Sequence, residues 1–213
     1  MKTLPSRYSG QTVLAIGAHP DDIELGVGGT IASLRRQGAH VVMAVGCIPS
    51  HYKKRKAEAK RAAEILGAEL RILFDRTCCR IEDRKTYEVV RIIDELIEEY
   101  KPVAMFSHGS ADFHKDHQMI YNACHASQRL GFMDFFCYYP TSCRPAPVRF
   151  SAQAYVNVTD TIDVKMQSIR AHVSQFAGRD MPIDFIQDVA RENGRLSGLP
   201  YAEALEVVRF ALC

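Results

Sequence analysis

The residues of this sequence best able to do chemistry lie in two short clusters, HPDD and HKDH. Their titratable side chains are those of His19, Asp21, Asp22, His114, Asp116 and His117. Imidazole nitrogens and carboxylate oxygens bind zinc at about 2.0–2.2 Å, and a catalytic zinc site takes three protein ligands and keeps one position open. His19, Asp22 and His117 supply that number, so the two clusters together predict a metal centre.

The remaining residues of the clusters have types suited to proton transfer beside a metal. Asp21 is adjacent to Asp22 and cannot easily face the same side of an ion, so we expect it to accept a proton from the attacking water. His114 precedes His117 by three residues and is expected to act on the leaving group or on the developing oxyanion. We expect Asp116 to hydrogen-bond His114, fix its tautomer and favour its protonated form.

Alternating strands and helices position both clusters. Short apolar runs predict buried parallel strands at Thr12–Ala18, His40–Gly46, Glu69–Phe74 and Val103–Ser107. Helical periodicity and stop signals predict helices at Gly28–Gln37, Lys54–Leu66, Asp83–Tyr100 and Asp116–Gln128. HPDD follows the first strand and HKDH follows the fourth, and ligands of open α/β sheets bind outside the carboxyl ends of the strands. Both clusters are therefore expected in one crevice.

The pattern changes after about Gly131. Strands are predicted at Phe135–Tyr139 and Ala154–Val158, followed by a helix that Thr159 and Asp160 cap and that runs to about Gln175. About the last forty residues are predicted to be helical, with Gly and Pro interruptions.

The predicted fold class is α/β: a Rossmann-like, mostly parallel sheet with helices on both faces, plus a smaller C-terminal strand and helix region. We expect a single domain over 1–213. Within it, we expect 1–130 to be the Rossmann-like part and 131–213 to be a smaller second part.

The glycines of ELGVGGT, residues 24–30, raise the alternative of a nucleotide-binding loop. Their spacing does not match G-x-G-x-x-G, no G-K-[ST] occurs, and the residues from His19 to Glu24 separate these glycines from the strand. We interpret these glycines as permitting close approach of helix, loop and metal site.

Charge and hydropathy argue against several other classes. The net charge is +2 with acidic and basic residues interspersed, so no nucleic-acid partner is expected. No apolar run reaches about 18 residues, so no membrane span is expected. The start MKTLPSRYSGQ lacks the apolar centre of a signal peptide, and we expect a cytoplasmic protein. The seven cysteines show no metal-like spacing and are expected to be reduced thiols.

The stretch AHPDDIELGVGGT, residues 18–30, followed by HKDH, residues 114–117, resembles the LmbE-like or PIG-L family of zinc-dependent N-acetyl-sugar deacetylases. Three further stretches resemble the second helix and the C-terminal region of the family: RKAEAKRAAEILG, IRAHVSQF and YAEAL. The resemblance implies a Rossmann-like fold and hydrolysis of an N-acetyl group on an N-acetylglucosamine-type sugar conjugate. The implied products are acetate and a free amino sugar.

The resemblance also implies a role for each matching residue. His19, Asp22 and His117 match the metal ligands, and Asp21 matches the base that activates water. His114 matches the residue that stabilises charge and protonates the amine, with Asp116 behind it. The candidate substrate contacts are Arg55, Asp75, Arg144 and Tyr201. The implied cofactor is Zn²⁺, although Fe²⁺ would use the same ligands. The implied partners are a small N-acetyl amino-sugar conjugate and other copies of the chain in a homo-oligomer, with 131–213 as the part for the substrate site and oligomerisation.

Two other functions stay open at this point. A non-catalytic module that binds a sugar or nucleotide could keep the fold, although here every catalytic position is filled. A hydrolase of a different acyl amide, or of an ester, would use the same reaction centre.

The sequence departs from the common family pattern at Lys115, where many members have proline. His172 is interpreted as a surface or packing residue, with ligation of a neighbouring site as the alternative.

Overall fold

The computed structural model describes residues 3–138, 150–176 and 183–211, and within them the strands form one seven-stranded sheet in the order β3-β2-β1-β4-β5-β7-β6. The strands are β1 Thr12–Gly17, β2 His40–Val45, β3 Glu69–Ile72, β4 Ala104–Ser107, β5 Asp134–Tyr138, β6 Ala154–Asn157 and β7 Ala202–Arg209. Arg144 lies outside the described residues.

The helices pack on both faces of this sheet. They are α1 Leu4–Arg7, α2 Asp22–Arg36, α3 Tyr52–Leu66, α4 Thr86–Tyr100, α5 Lys115–Ser127, α6 Ile162–Arg170, α7 Val173–Phe176 and α8 Asp184–Ser197. Successive residues of a strand point to opposite faces. Val13 of β1 accordingly joins the core under α2 and α3, and Leu14 joins the core under α4 and α5.

The first four strands run parallel, as the sequence predicts, and β5 pairs parallel with β4 as well. Pairing runs from Thr12 with His40 to Gly17 with Val45 between β1 and β2, and β1 also pairs with β4. Apolar runs without alternation are typical of strands buried on both faces. Residues 13–17 are all buried, which accounts for that pattern in β1. The predicted mostly parallel α/β fold is confirmed.

The prediction of helix for about the last forty residues is wrong at β7. This strand lies between β5 and β6 and pairs antiparallel with both. Its sequence AEALEVVR is rich in good helix formers. Tertiary pairing on two sides and burial of its first four residues outweigh that preference. The helical part of the prediction matches α8.

The helix before these strands also differs from its prediction. α6 begins at Ile162 after Thr161, rather than at a cap formed by Thr159 and Asp160. It ends at Arg170, and the short α7 follows.

None of the helices in the described part of the chain has both the length and the apolar character that a membrane span requires.

Helix α2 begins at Asp22, six residues before the predicted start at Gly28. Its first turn therefore contains the last residue of the HPDD cluster. The backbone leaves helical geometry at Val27, where φ is −137° and ψ is 22°. Gly26 lies against the ring of Tyr138, and a Cβ there would lie 2.7 Å from Tyr138 Cγ. The Tyr138 hydroxyl donates to the Ile16 carbonyl at 2.9 Å, so the ring has little freedom to move away.

We expect Gly26→Ala to lower the free energy of unfolding by about 1–3 kcal/mol, because an added methyl group overlaps a fixed, buried ring. Urea denaturation measures the change. Gly131→Ala is the matched control, since no atom lies within 4 Å of a Cβ there and its φ of 176° suits any residue. Equal stability of the Gly26→Ala variant and the unaltered protein would contradict the close packing.

Candidate metal centre

The two polar clusters meet at the carboxyl ends of β1 and β4. Asp22 is the first residue of α2, and His117 lies in the first turn of α5. The His19 ring lies 5.4 Å from the ring of His117 and 5.0 Å from that of His114, measured between centroids. Stretches about ninety residues apart in the sequence thus form one site, because neighbouring parallel strands end at the same edge of the sheet.

His19, Asp22 and His117 have the spacing of ligands around one ion. Asp22 Oδ2 lies 3.6 Å from His19 Nδ1 and 3.4 Å from His117 Nε2. Ligand atoms about 2.0–2.2 Å from a tetrahedral zinc stand roughly 3.3–3.6 Å from one another. The three residues therefore fit a metal ion.

Two further carboxylates orient the two candidate imidazole ligands. Asp112 Oδ2 lies 2.7 Å from His117 Nδ1, and Asp116 Oδ2 lies 2.8 Å from His19 Nε2. An imidazole that donates one N–H to a carboxylate presents the lone pair of its other nitrogen. The nitrogens left for a metal are then His117 Nε2 and His19 Nδ1, which are the two that face Asp22.

The partner of Asp116 differs from the predicted one. Its carboxylate contacts His19 rather than His114, and it also accepts the backbone N–H groups of Ile81 at 3.2 Å and Glu82 at 2.8 Å. Burial raises the pKa of Asp116, but these hydrogen bonds outweigh it and lower that pKa to about 2. Asp116 is thus an ionised acceptor that fixes the orientation of His19.

His108 and Asp112 are site residues that the sequence analysis did not single out. His108 is buried, stacks on His117 with 3.8 Å between centroids, and has Nε2 3.3 Å from Asp22 Oδ2. Its Nε2 accepts the Ala18 backbone N–H at 3.0 Å. Burial and the charge of His117 lower the pKa of His108 to about 4, so this imidazole is neutral. The available signals were a histidine directly after a strand and an aspartate five residues before a candidate ligand.

Within the described residues, two other groups have ligand atoms close enough for a metal: His19 with His114 and Asp116, and His108 with Asp112 and His117. Both contain atoms already bonded within the protein, since the Ala18 amide occupies His108 Nε2 and Asp116 occupies His19 Nε2. In the group of His19, Asp22 and His117, the two imidazole nitrogens that face Asp22 stay available, while Asp22 Oδ2 also accepts the His19 backbone N–H at 2.8 Å.

The electrostatics of the centre favour positive charge. Burial lowers the pKa of His117, but the carboxylates of Asp22 and Asp112 outweigh it and raise that pKa to about 9. Burial raises the pKa of Asp22, but the charge of His117 above all outweighs it and holds that pKa well below its ordinary value. A site that favours a proton in this way also favours a cation.

Asp21, the residue before α2, has an unusual backbone conformation. Its φ of 97° is in the left-handed region, which residues other than glycine rarely adopt. Burial and the adjacent Asp22 carboxylate raise the pKa of Asp21 to about 7. That value suits a group that accepts a proton near neutral pH.

His114 is the N-cap of α5, and its Nδ1 accepts the backbone N–H of Asp116 at 3.2 Å. A neutral ring in this position carries its proton on Nε2. Burial and the nearby His117 and His19 lower the pKa of His114. The charge of Asp116 raises that pKa in the expected direction, but the other effects outweigh it and the net shift favours the neutral ring.

The structure distributes the candidate substrate contacts unevenly. Arg55 is buried on α3, donates to the Pro20 carbonyl at 3.3 Å, and its charge lowers the pKa of Asp21 against the larger effect of burial. Asp75 is paired with Lys56 at 2.6 Å and accepts the hydroxyl of Tyr52.

Tyr201 lies directly before β7 and is half-buried. Its hydroxyl lies 3.4 Å from both Gln187 Nε2 and Arg191 Nη2 of α8. These contacts direct the hydroxyl towards α8, so the structure does not by itself bring Tyr201 to the metal centre.

His172, interpreted from the sequence as a surface or packing residue, is fully buried. Its Nε2 lies 2.9 Å from Glu24 Oε1, and Glu24 is buried as well. Burial lowers the pKa of His172, but Glu24 outweighs it and raises that pKa. The pair connects the first turn of α2 to the residues that follow α6.

Comparison with known proteins agrees with this combination of fold and site. The family model of PIG-L, described as GlcNAc-PI de-N-acetylase, matches residues 14–127, which span both clusters and more than half of the chain. The protein belongs to the PIG-L family. The resemblance drawn from the HPDD and HKDH clusters is thereby confirmed.

Two curated relatives are deacetylases by name. The uncharacterized deacetylase YaiS of Escherichia coli (strain K12) is 32% identical over 134 residues, covering 56% of this chain and 69% of YaiS. Diacetylchitobiose deacetylase of Thermococcus kodakarensis is 25% identical over 236 aligned residues, covering 92% of this chain and 82% of that protein.

A solved structure shows how widely the fold is used. GalB, the 4-carboxy-2-hydroxymuconate hydratase of Pseudomonas putida KT2440, superposes with a TM-score of 0.78 at 20% identity. The match covers 95% of this chain and 98% of GalB. A fold does not by itself determine a reaction, so the chemistry must be argued from the site.

We expect Asp112→Asn to weaken zinc binding by about 10- to 100-fold, because His117 loses the carboxylate that orients its Nε2 towards the ion. Competition with a chromophoric chelator measures the affinity. Asp75→Asn is the control, since its carboxylate pairs with Lys56 and Tyr52 rather than with an imidazole. Unchanged zinc affinity in the Asp112→Asn variant would contradict the orienting role.

Proposed function

We propose that this protein is a metal-dependent hydrolase that removes the N-acetyl group from an N-acetylglucosamine-type conjugate and releases acetate and a free amine. One observation carries the proposal. His19, Asp22 and His117 are spaced as metal ligands, and Asp21 lies beside them with its pKa raised to about 7 by burial and Asp22. Membership of the PIG-L family and two deacetylase relatives support the same reaction.

The proposed metal ligands are His19 Nδ1, an Asp22 carboxylate oxygen and His117 Nε2. Zn²⁺ is the proposed ion, and Fe²⁺ would use the same imidazole and carboxylate donors. When bound, the ion acts as a Lewis acid that polarises the amide carbonyl and makes the attacking water more acidic.

Asp21 is the proposed general base. It is adjacent to the proposed ligand Asp22 in the chain, and its raised pKa matches the task of taking a proton from water. After attack, the protonated Asp21 can return that proton to the leaving amine.

His114 is proposed to stabilise the developing charge. With Nδ1 engaged by the Asp116 amide, its Nε2–H can donate a hydrogen bond to the tetrahedral oxyanion. The lowered pKa of His114 favours this role for a neutral ring. The geometry therefore favours charge stabilisation by His114, whereas the sequence also assigned it the protonation of the amine.

The proposed substrate is a small N-acetyl amino-sugar conjugate. Arg55 lies beside Asp21 and is the best-placed candidate contact, and Asp75 is a second candidate near the start of α3. Arg144 and Tyr201 remain candidates from the family resemblance, and assembly into a homo-oligomer is proposed on the same ground. Diacetylchitobiose, the substrate named for one relative, is a suitable first test compound.

We expect Asp21→Asn to lower kcat by about 10²- to 10⁴-fold, because it removes the base while leaving the metal ligands in place. Release of free amine from diacetylchitobiose and other N-acetylglucosamine conjugates measures the rate, with metal removal by a chelator and zinc re-addition as a second arm. Asp83→Asn is the control, since that side chain is exposed on the turn before α4. Wild-type turnover by Asp21→Asn would show that the proposed base is wrong.

The same assay distinguishes the alternatives. A binding module would bind the conjugates without releasing amine. A hydrolase of another acyl amide would leave acetylated sugars intact but cleave other acyl amides in a substrate panel. In either case deacetylation of the sugar conjugates is absent while zinc binding persists.

We expect His114→Gln to retain more activity than His114→Ala, because the glutamine amide can donate a hydrogen bond but cannot transfer a proton. Loss of one oxyanion donor lowers kcat by about 10²- to 10³-fold, which is the expected effect of His114→Ala, with little change in KM. Steady-state kinetics of both variants measure the difference. Equal loss in the two variants would favour proton transfer by His114 over charge stabilisation.

A further inference from the structure

At the break in helix α2, backbone groups bind a buried ion pair that Lys165 and Glu203 form. In a regular α-helix the N–H of Gly29 would donate to the carbonyl of Leu25. Here Gly29 N–H donates to Glu203 Oε1 at 2.9 Å, and the Leu25 carbonyl accepts Lys165 Nζ at 2.8 Å. The N–H and the carbonyl that would form one hydrogen bond of a regular helix are therefore bound by Glu203 and Lys165, respectively.

The pair also matches the polarity of the two helix segments. Glu203 Oε2 accepts the Thr30 N–H at 2.7 Å, so the carboxylate caps the amino end of the second segment. Lys165 lies at the carboxyl end of the first segment and binds Glu203 Oε1 at 2.5 Å. Negative charge at an amino end and positive charge at a carboxyl end are the favourable arrangement with helix dipoles.

Burial makes a purely stabilising role a poor explanation for this pair. Lys165 and Glu203 are each 3% exposed. Removing two charges from water costs free energy that their mutual attraction often does not exceed, and apolar replacements of such pairs are frequently neutral or stabilising. What an apolar pair could not do is occupy the free amides and the free carbonyl of the break.

The short segment before the break carries the reacting residues. Asp22 begins it and Val27 ends it, so the pair lies less than two helical turns from the metal centre. A second contact from the same region, between His172 and Glu24, binds the first turn of this segment. The direction of the segment therefore depends on side chains from the α6 region and β7.

We propose that Lys165 and Glu203 are positioning residues that hold α2 broken at Val27 and thereby place Asp21 and Asp22 for metal binding and catalysis. The proposal rests on the proposed function for its kinetic part, whereas its metal-binding part is independent of the substrate. Neither residue touches the reacting atoms.

The test compares Glu203→Gln with the double variant Lys165→Met/Glu203→Gln. The double variant is uncharged and nearly isosteric with the native pair, so it leaves no unpaired charge in the core and is expected to fold. Asp134→Asn is the control: Asp134 is a buried carboxylate that accepts the Tyr8 hydroxyl at 2.8 Å and the Ala211 amide at 3.1 Å, at the opposite end of the strands. Zinc affinity by chelator competition, Tm, kcat and KM are measured for each.

We expect both pair variants to lose zinc affinity and kcat by on the order of 10-fold or more, with KM within about twofold of wild type. Asp134→Asn is expected to lower Tm while zinc affinity and kcat stay unchanged. Wild-type zinc affinity in both pair variants overturns the proposal. So does an equal loss of zinc affinity in Asp134→Asn at a similar loss of Tm, since that outcome reports general destabilisation. If the wild-type protein releases no amine from any conjugate, the proposed function fails while the zinc measurements still decide the positioning role.

Discussion

The candidate metal centre depends on the buried carboxylate of Asp22, which three imidazole rings surround. A single oxygen of Asp22 lies within 3.3–3.6 Å of nitrogens of His19, His108 and His117. A carboxylate buried in this way needs compensating positive charge or hydrogen bonds. Each imidazole is in turn fixed by a partner of its own: His19 by Asp116, His117 by Asp112 and His108 by the Ala18 amide. The strand ends, the loop after β4 and the start of α5 all serve this arrangement.

Much of the fold follows from local patterns in the sequence. β1, β2 and β4 are apolar runs because helices cover both faces of the sheet, and that burial is visible without coordinates. For β7 the sequence predicts a helix, because Ala, Glu and Leu favour a helix in isolation. Only its position between β5 and β6 makes it a strand, and pairing over such a distance along the chain leaves no local signal.

The candidate site shows the same division between local and distant information. The types and spacing of HPDD and HKDH were enough to propose the metal ligands. The partner of Asp116 was not predictable, because proximity in sequence pointed to His114 while the start of α5 turns the carboxylate towards His19. Glu203 and Lys165 are ordinary surface residue types in sequence, and only the packing of α6 and β7 against α2 makes them buried partners of its backbone.

The distance along the chain between Glu203 and the centre has a consequence for biosynthesis. Glu203 follows His117 by 86 residues, and translation proceeds at about 5–20 residues per second. The ribosome therefore completes both polar clusters roughly 4–17 s before it adds the carboxylate that caps the second half of α2. During that interval the nascent chain contains all three proposed metal ligands but not Glu203, so the amides of Gly29 and Thr30 have to wait for their carboxylate until the last strand has been made.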